Sequence, residues 1–270
     1  MTPRCNLHTH TVYCDGKNTP EEMILRSIEL GLETLGFSGH SPLVGEDWCM
    51  SEGGMSEYVA EIKLLRDKYA DRIEVVLGLE YDLLSECDTM SFDYVIGSVH
   101  YVEKNGEMIP VDMNTDQLCR AVDRQYGGDF YALARDYYAN MYRLYEHTRC
   151  DIVGHFDLLT KFNEGGRLFD ESECGYRKCA LEALDALLER DLIIEINTGA
   201  ISRGYRKTPY PADFVLRRIA ERSGRVMLNS DCHSVNGITT CFPEAVKYAR
   251  SCGIRELTVM KDKKFAAVSI

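Results

Sequence analysis

Glu74-Val75-Val76-Leu77-Gly78-Leu79-Glu80 is a short apolar run that ends on a carboxylate. It is too brief for a typical helix and rich in aliphatic residues. It therefore reads as a strand buried on both faces, as in a parallel sheet covered by helices. Its last residue is the anomaly. A buried carboxylate without a partner is costly, and a bound metal removes that cost.

Working outward, similar runs recur at 5–8, 34–38, 94–98, 151–154, 192–197, 226–229 and 256–259. Helical stretches fit between them. Thr19-Pro20-Glu21-Glu22 offers an N-cap, a proline at the first helical position and a capping glutamate, and Gly31 is a plausible stop. Helical spacing also marks 56–68, 130–145, 178–188, 212–220 and 243–250. Repeated β-α units predict a parallel sheet, and seven or eight of them in 270 residues favour a barrel. An open doubly wound sheet is the alternative. The connections at 41–55, 101–114 and 163–173 each follow a strand end, where a barrel builds its active site. No repeat or linker divides the chain, so residues 1–270 are expected to form one domain.

Composition narrows the class. Apolar content of 45% and charged content of 27% suit a soluble globular protein. No apolar run approaches a membrane span, and the N-terminus lacks the apolar core of a signal peptide. The expected compartment is the cytoplasm. There the eleven cysteines, with no C-x-x-C pair, read as free thiols such as Cys5, Cys87, Cys119 and Cys252. Cys232 stands apart, between Asp231 and His233. A net charge of −12 argues against nucleic acid as a partner but allows a small phosphorylated substrate, because bound cations reverse the local field. The oligomeric state stays open.

Of the seven histidines, six lie at or just after predicted strand ends: His8, His10, His40, His100, His155 and His233. His147 lies at the end of a helical stretch and reads as a residue interacting with the helix dipole. His8-Thr9-His10 places two imidazoles on one side of a strand, and Asp231-Cys232-His233 repeats the spacing with a carboxylate. Asp15 follows the first strand closely. Each residue alone has an ordinary explanation: a turn residue, a satisfied core histidine, a helix cap. Nine such residues at six strand ends would need nine separate explanations. They also exceed what one tetrahedral zinc accepts, so two or three divalent ions, Zn, Fe or Mn, are expected.

Assembled, the motifs resemble the PHP (polymerase and histidinol phosphatase) superfamily. The matching pieces are His8-Thr9-His10, Asp15-Gly16, Gly39-His40-Ser41, Gly78-Leu79-Glu80, Gly97-Ser98-Val99-His100, Gly154-His155-Phe156-Asp157 and Ser230-Asp231-Cys232-His233, in the family's order. The pattern looks most like the stand-alone histidinol-phosphatase branch, which hydrolyses L-histidinol phosphate in histidine biosynthesis. The resemblance implies an α/β fold, a distorted (β/α)7 TIM-like barrel with a trinuclear centre. His8, His10, Glu80 and Asp231 would hold the first metal. Glu80 would bridge to a second, completed by His100 and His155. Asp15, His40 and His233 would hold the third; many members carry histidine at the position of Asp15. A hydroxide bridging two metals would attack phosphorus, and Asp231 or His233 would hand a proton to the leaving alkoxide.

Outside the metals, Arg203 and Arg206 follow the run Glu195-Ile196-Asn197-Thr198-Gly199, in a loop the family uses for phosphate. Their forked donors match phosphate oxygens, and Lys161 is a further candidate. Trp48, the only tryptophan, could stack on an imidazole ring of the substrate or simply pack. The alternatives are a phosphoesterase for nucleotides or other small esters, a non-catalytic metal-binding module, and an amidohydrolase-type barrel. The last usually carries a carbamylated lysine on a mid-barrel strand, where this chain has Glu80.

Overall fold

The computed structural model describes residues 2–270. In chain order it runs β1 (Cys5–Asn6), α1 (Pro20–Glu29), β2 (Thr34–Phe37), α2 (Glu52–Lys68), β3 (Glu74–Asp82), β4 (Tyr94–Ser98), β5 (Tyr101–Lys104) and β6 (Glu107–Pro110). It continues with α3 (Thr115–Tyr126), α4 (Phe130–Thr148), β7 (Ile152–Val153), α5 (Cys174–Leu188), β8 (Ile193–Asn197), α6 (Gly199–Ser202), α7 (Asp213–Glu221), β9 (Arg225–Asn229), α8 (Phe242–Ser251), β10 (Glu256–Lys261) and β11 (Lys264–Ser269).

Strands β1, β2, β3, β4, β7, β8 and β9 lie side by side, all parallel. Their order never reverses, so the sheet has no topological switch point and the doubly wound alternative does not apply. The sheet curls until its ends meet. Thr9 bridges Cys232, with His10 N–H donating to the Cys232 carbonyl at 2.9 Å. At the other end β10 pairs with β9 through Thr258 and Met227, and its Met260 carbonyl accepts from Thr34 Oγ1 at 2.9 Å. The result is the expected distorted TIM-like barrel of seven staves, with β10 and an antiparallel β11 as an appendage.

Two apolar clusters hold it. Leu7, Val76, Tyr94, Ile96, Ile152, Ile193 and Met227 fill the barrel. Val75, Leu77, Leu79 and Tyr81, the alternate side chains of β3, belong to the layer beneath the helices. This explains the uninterrupted apolar run: a stave of the barrel buries both its faces. Gly78 is required by close approach. A Cβ there would fall 2.1 Å from Tyr94 Cζ. The Tyr94 ring lies across that gap, and its hydroxyl donates to the carbonyls of Leu7 and Phe37.

The segment 101–114, expected as a loop, contains the hairpin β5–β6. Its turn is Asn105-Gly106, with φ of 53° and 80°, the pair that a tight hairpin favours. The capping box at Thr19 and Glu22 forms, and all eleven cysteines are free. His147 is in the last turn of α4, but its ring also bonds the Ser85 carbonyl at 2.9 Å, so it ties the helix to the loop after β3. No described helix is long and apolar enough to cross a membrane.

Candidate metal centre

The seven staves end at one mouth, where all nine expected ligands meet. Glu80, 1% exposed, is the hub. Its Oε1 accepts from Ser98 Oγ at 2.6 Å and lies 2.9 Å from His155 Nε2 and 3.6 Å from His100 Nε2. Its Oε2 lies 2.9 Å from His40 Nδ1, 3.1 Å from His8 Nε2 and 3.4 Å from His10 Nε2. Asp231 Oδ1 approaches His10 Nε2 at 3.3 Å and His8 Nε2 at 3.7 Å. Asp15, on the loop after β1, lies 3.1 Å from His233 Nε2 and 3.6 Å from His40 Nε2.

Asp231 and His233 do not meet there by strand alternation. Strand β9 ends at Asn229, and Asp231 has a left-handed φ of 49°. Aspartate tolerates that conformation better than most residues, and it marks a site where the chain is bent to aim a side chain. Cys232 turns away into the apolar layer, where burial pushes its thiol up to about 12.

The charges are unbalanced. Burial would raise the Glu80 carboxyl, yet His40 and His8 hold it well below the ordinary range. Burial likewise works against Asp231, but Arg203 and then His8 keep it ionised. Burial, reinforced by the His233 and His40 rings, lowers His10 to about 3. For His100 burial acts downward too, but Asp82 and Glu80 outweigh it and raise the ring to about 9.

The donor set fits divalent cations. His8 Nε2, His10 Nε2 and Glu80 Oε2 are buried without a hydrogen-bond partner, although buried polar atoms are normally satisfied. These atoms converge on each other. Three groups have ligand geometry: His10, Asp15, His40 and His233; His8, His10 and Asp231; His40, Glu80 and His100. Here His10 and His40 each stand between neighbouring groups, so the geometric clusters cut across the division that the resemblance implies.

The mouth opens into a cavity of about 220 Å³. Arg203, Lys161 and Trp48 line it. Arg203 Nη2 donates to Asp231 Oδ2 at 3.0 Å, and Nη1 donates to the Asp231 carbonyl at 3.0 Å. Gly199 makes room: a Cβ there would be 2.7 Å from Asp231 Oδ2 and 2.8 Å from Arg203 Nη2. Trp48 stands edge-on to His40 and His100 and bonds Glu46 through Nε1 at 2.8 Å.

Arg206 is a correction. It is buried and does not line the cavity; its Nη1 donates to the Thr160 carbonyl at 2.8 Å. The left-handed turn at Gly204, with φ 78°, separates it from Arg203. Two residues were missed. Asp112, at the exit of the β5–β6 hairpin, holds Lys161 Nζ at 3.0 Å. Glu195, within β8, bonds His8 Nδ1 at 2.7 Å. Only the second had a sequence signal: a carboxylate inside the run Ile193-Ile194-Glu195-Ile196.

A parallel barrel that gathers six imidazoles and three carboxylates at its C-terminal mouth defines a class of α/β metal-site barrels. The PHP domain model matches residues 6–199, and the chain belongs to that family. A relative from Deinococcus radiodurans, named "Probable histidinol-phosphatase", is 34% identical over 96% of this chain and 97% of its own length. A crystal structure from Listeria monocytogenes shares the fold with a TM-score of 0.79 at 20% identity, covering 88% of this chain and 98% of that one. The histidinol phosphate phosphatase of Lactococcus lactis, solved with zinc, L-histidinol and phosphate, superposes with a TM-score of 0.70 at 20% identity, over 97% and 98% of the two chains.

Proposed function

We propose that this chain, acting as one domain in the cytoplasm, hydrolyses L-histidinol phosphate to L-histidinol and phosphate in histidine biosynthesis. The observation that carries the reading is the convergence of unpartnered His8, His10 and Glu80 atoms beside a cavity that holds an arginine fork. The relatives' names supply the substrate. The cavity is below the usual size for drug-like ligands, which suits a small ester.

Two to three ions of Zn, Fe or Mn would be held by His8, His10, Glu80 and Asp231, by Glu80 with His100 and His155, and by Asp15, His40 and His233. Bound there, such ions lower the pKa of coordinated water and offset charge on phosphoryl oxygens. Arg203 lines the cavity with Nη1 and Nη2 each donating to Asp231, so its remaining N–H groups are the ones open to the phosphate, and Lys161, steadied by Asp112, faces the same cavity. Asp231, at the mouth beside Arg203, would take the proton of the attacking water and return it to the leaving alkoxide. His233 is held by Asp15 and Arg203 next to that transfer. Trp48 walls the side of the cavity where an imidazole ring would lie.

The test is turnover of L-histidinol phosphate by the purified, metal-analysed protein against a panel of sugar phosphates and mononucleotides. A clear preference for L-histidinol phosphate is expected. Equal turnover across the panel would remove the specific assignment.

A further inference from the structure

We propose that Glu195 is a positioning residue that fixes the imidazole of His8, so that its Nε2 lone pair faces the metal cluster. The inference rests on the metal reading above. Glu195 is fully buried and does not line the cavity at the mouth.

Its carboxylate is saturated by donors from its own strand, from β9 and from the segments that follow β1 and β7. Oε1 accepts from His8 Nδ1 at 2.7 Å and Asn229 Nδ2 at 3.0 Å. Oε2 accepts from the His155 backbone N–H and from Asn197 Nδ2, each at 2.8 Å. A carboxylate can only accept, so His8 carries its hydrogen on Nδ1. In the neutral ring that a metal requires, the lone pair is then on Nε2, which is buried without a hydrogen-bond partner 3.1 Å from Glu80 Oε2. A carboxylate behind a ligand histidine is a recurrent device for setting tautomer and ring orientation. Asp82 makes the same contact to His100 Nδ1 at 2.9 Å. Glu195 goes further, because the same carboxylate also holds the backbone of His155.

Glu195→Gln exposes the role. The glutamine oxygen must face the His155 N–H, a donor that cannot be reversed. The neighbouring Asn197 is also fixed, since its Oδ1 accepts from Gly199 N–H at 2.8 Å. The new NH2 group therefore points at His8 Nδ1. The ring can satisfy it only by moving its hydrogen to Nε2, where a metal would bind.

The experiment combines 15N spectra of the histidine rings in the metal-free protein, recorded as the pH is raised until the His8 ring is neutral, with zinc affinity by chelator competition. The His8 signal is assigned by its loss in His8→Gln. The expected result is an Nδ1–H tautomer in the wild type, an Nε2–H tautomer in E195Q, and zinc affinity lower by about 10–100-fold. An Nε2–H tautomer in the wild type overturns the inference even if E195Q does not fold. Zinc affinity of E195Q within twofold of a zinc-binding wild type overturns it alone. A wild type that binds no zinc, manganese or iron overturns the metal reading and this inference together.

Discussion

Strands β3 and β8 hold two buried glutamates that meet on one imidazole. Glu80 faces His8 Nε2 and Glu195 faces His8 Nδ1. Both are essentially inaccessible, at 1% and 0% exposure. They differ in what surrounds them. Glu195 has two donors on each oxygen, whereas Glu80 leaves Oε2 without a hydrogen-bond partner among three imidazoles. Burial therefore does not separate a ligand from a scaffold, but satisfaction does. A saturated carboxylate belongs to the fold, and one with an open oxygen is held ready for a cation.

The largest test of that contrast is Glu80→Gln. The amide keeps the shape and removes the charge that joins the ligand groups. Activity on L-histidinol phosphate is expected to fall on the order of 10³-fold, a loss of about 4 kcal/mol in transition-state stabilisation. Bound metal per chain should fall with it. The apoprotein should also lose stability, because the imidazoles that hold Glu80 ionised lose their counter-charge. Steady-state kinetics, elemental analysis and a thermal melt give the three readings. Retention of full activity would break the comparison at its centre.

The same distinction explains what could be read from the sequence. The staves were legible because a strand buried on both faces leaves a continuous apolar run, as at Val75–Leu79. The ligands were legible because histidines and carboxylates at strand ends interrupt that pattern. Glu195 interrupts it too, inside Ile193-Ile194-Glu195-Ile196, but its partners His8, His155 and Asn229 come from three distant segments that only the closed barrel brings together. The β5–β6 hairpin was missed although Asn105-Gly106 announced it, because length after a strand end was read as loop. Asp112, which that hairpin delivers, was lost with it. The spacing of Asp231 and His233 grouped them rightly through a periodicity that the left-handed φ at Asp231 contradicts.

Arg203 and Arg206 extend the contrast to cations. Three residues apart in sequence, one reaches the cavity and the other is buried against the Thr160 carbonyl. Arg203→Lys keeps the charge but loses the fork, so kcat/KM should fall by about 10–100-fold, with most of the change in KM. Arg206→Met should leave KM within about twofold while lowering stability by about 1–3 kcal/mol, through the lost bond to the Thr160 carbonyl and the lost pairing with Glu171. Urea unfolding and substrate titration on the two variants separate the roles. An equal KM effect from both would mean that depth at the mouth does not decide function.

The smallest effect should come from the helical layer, where the same ion-pair chemistry is exposed to water. Arg218 on α7 grips Asp185 on α5 through Nε at 3.0 Å and Nη2 at 2.7 Å. The geometry is better than that of Arg203 with Asp231, yet the Asp185 side chain is 28% exposed and screened. Asp185→Asn should therefore cost about 1 kcal/mol or less, with no change in turnover. The pH dependence fixes the sign. Arg218 holds the Asp185 carboxyl below its ordinary value, so the folded state binds fewer protons than the unfolded state as the group titrates. The contribution is complete above the unfolded carboxyl's pKa of about 4 and is lost as pH falls through the lower folded value. The difference in unfolding free energy between wild type and D185N should be constant from pH 7 to about 5 and shrink on further acidification. A difference as large as that for Arg206→Met would show that donor geometry, rather than exclusion of water, sets what these pairs contribute.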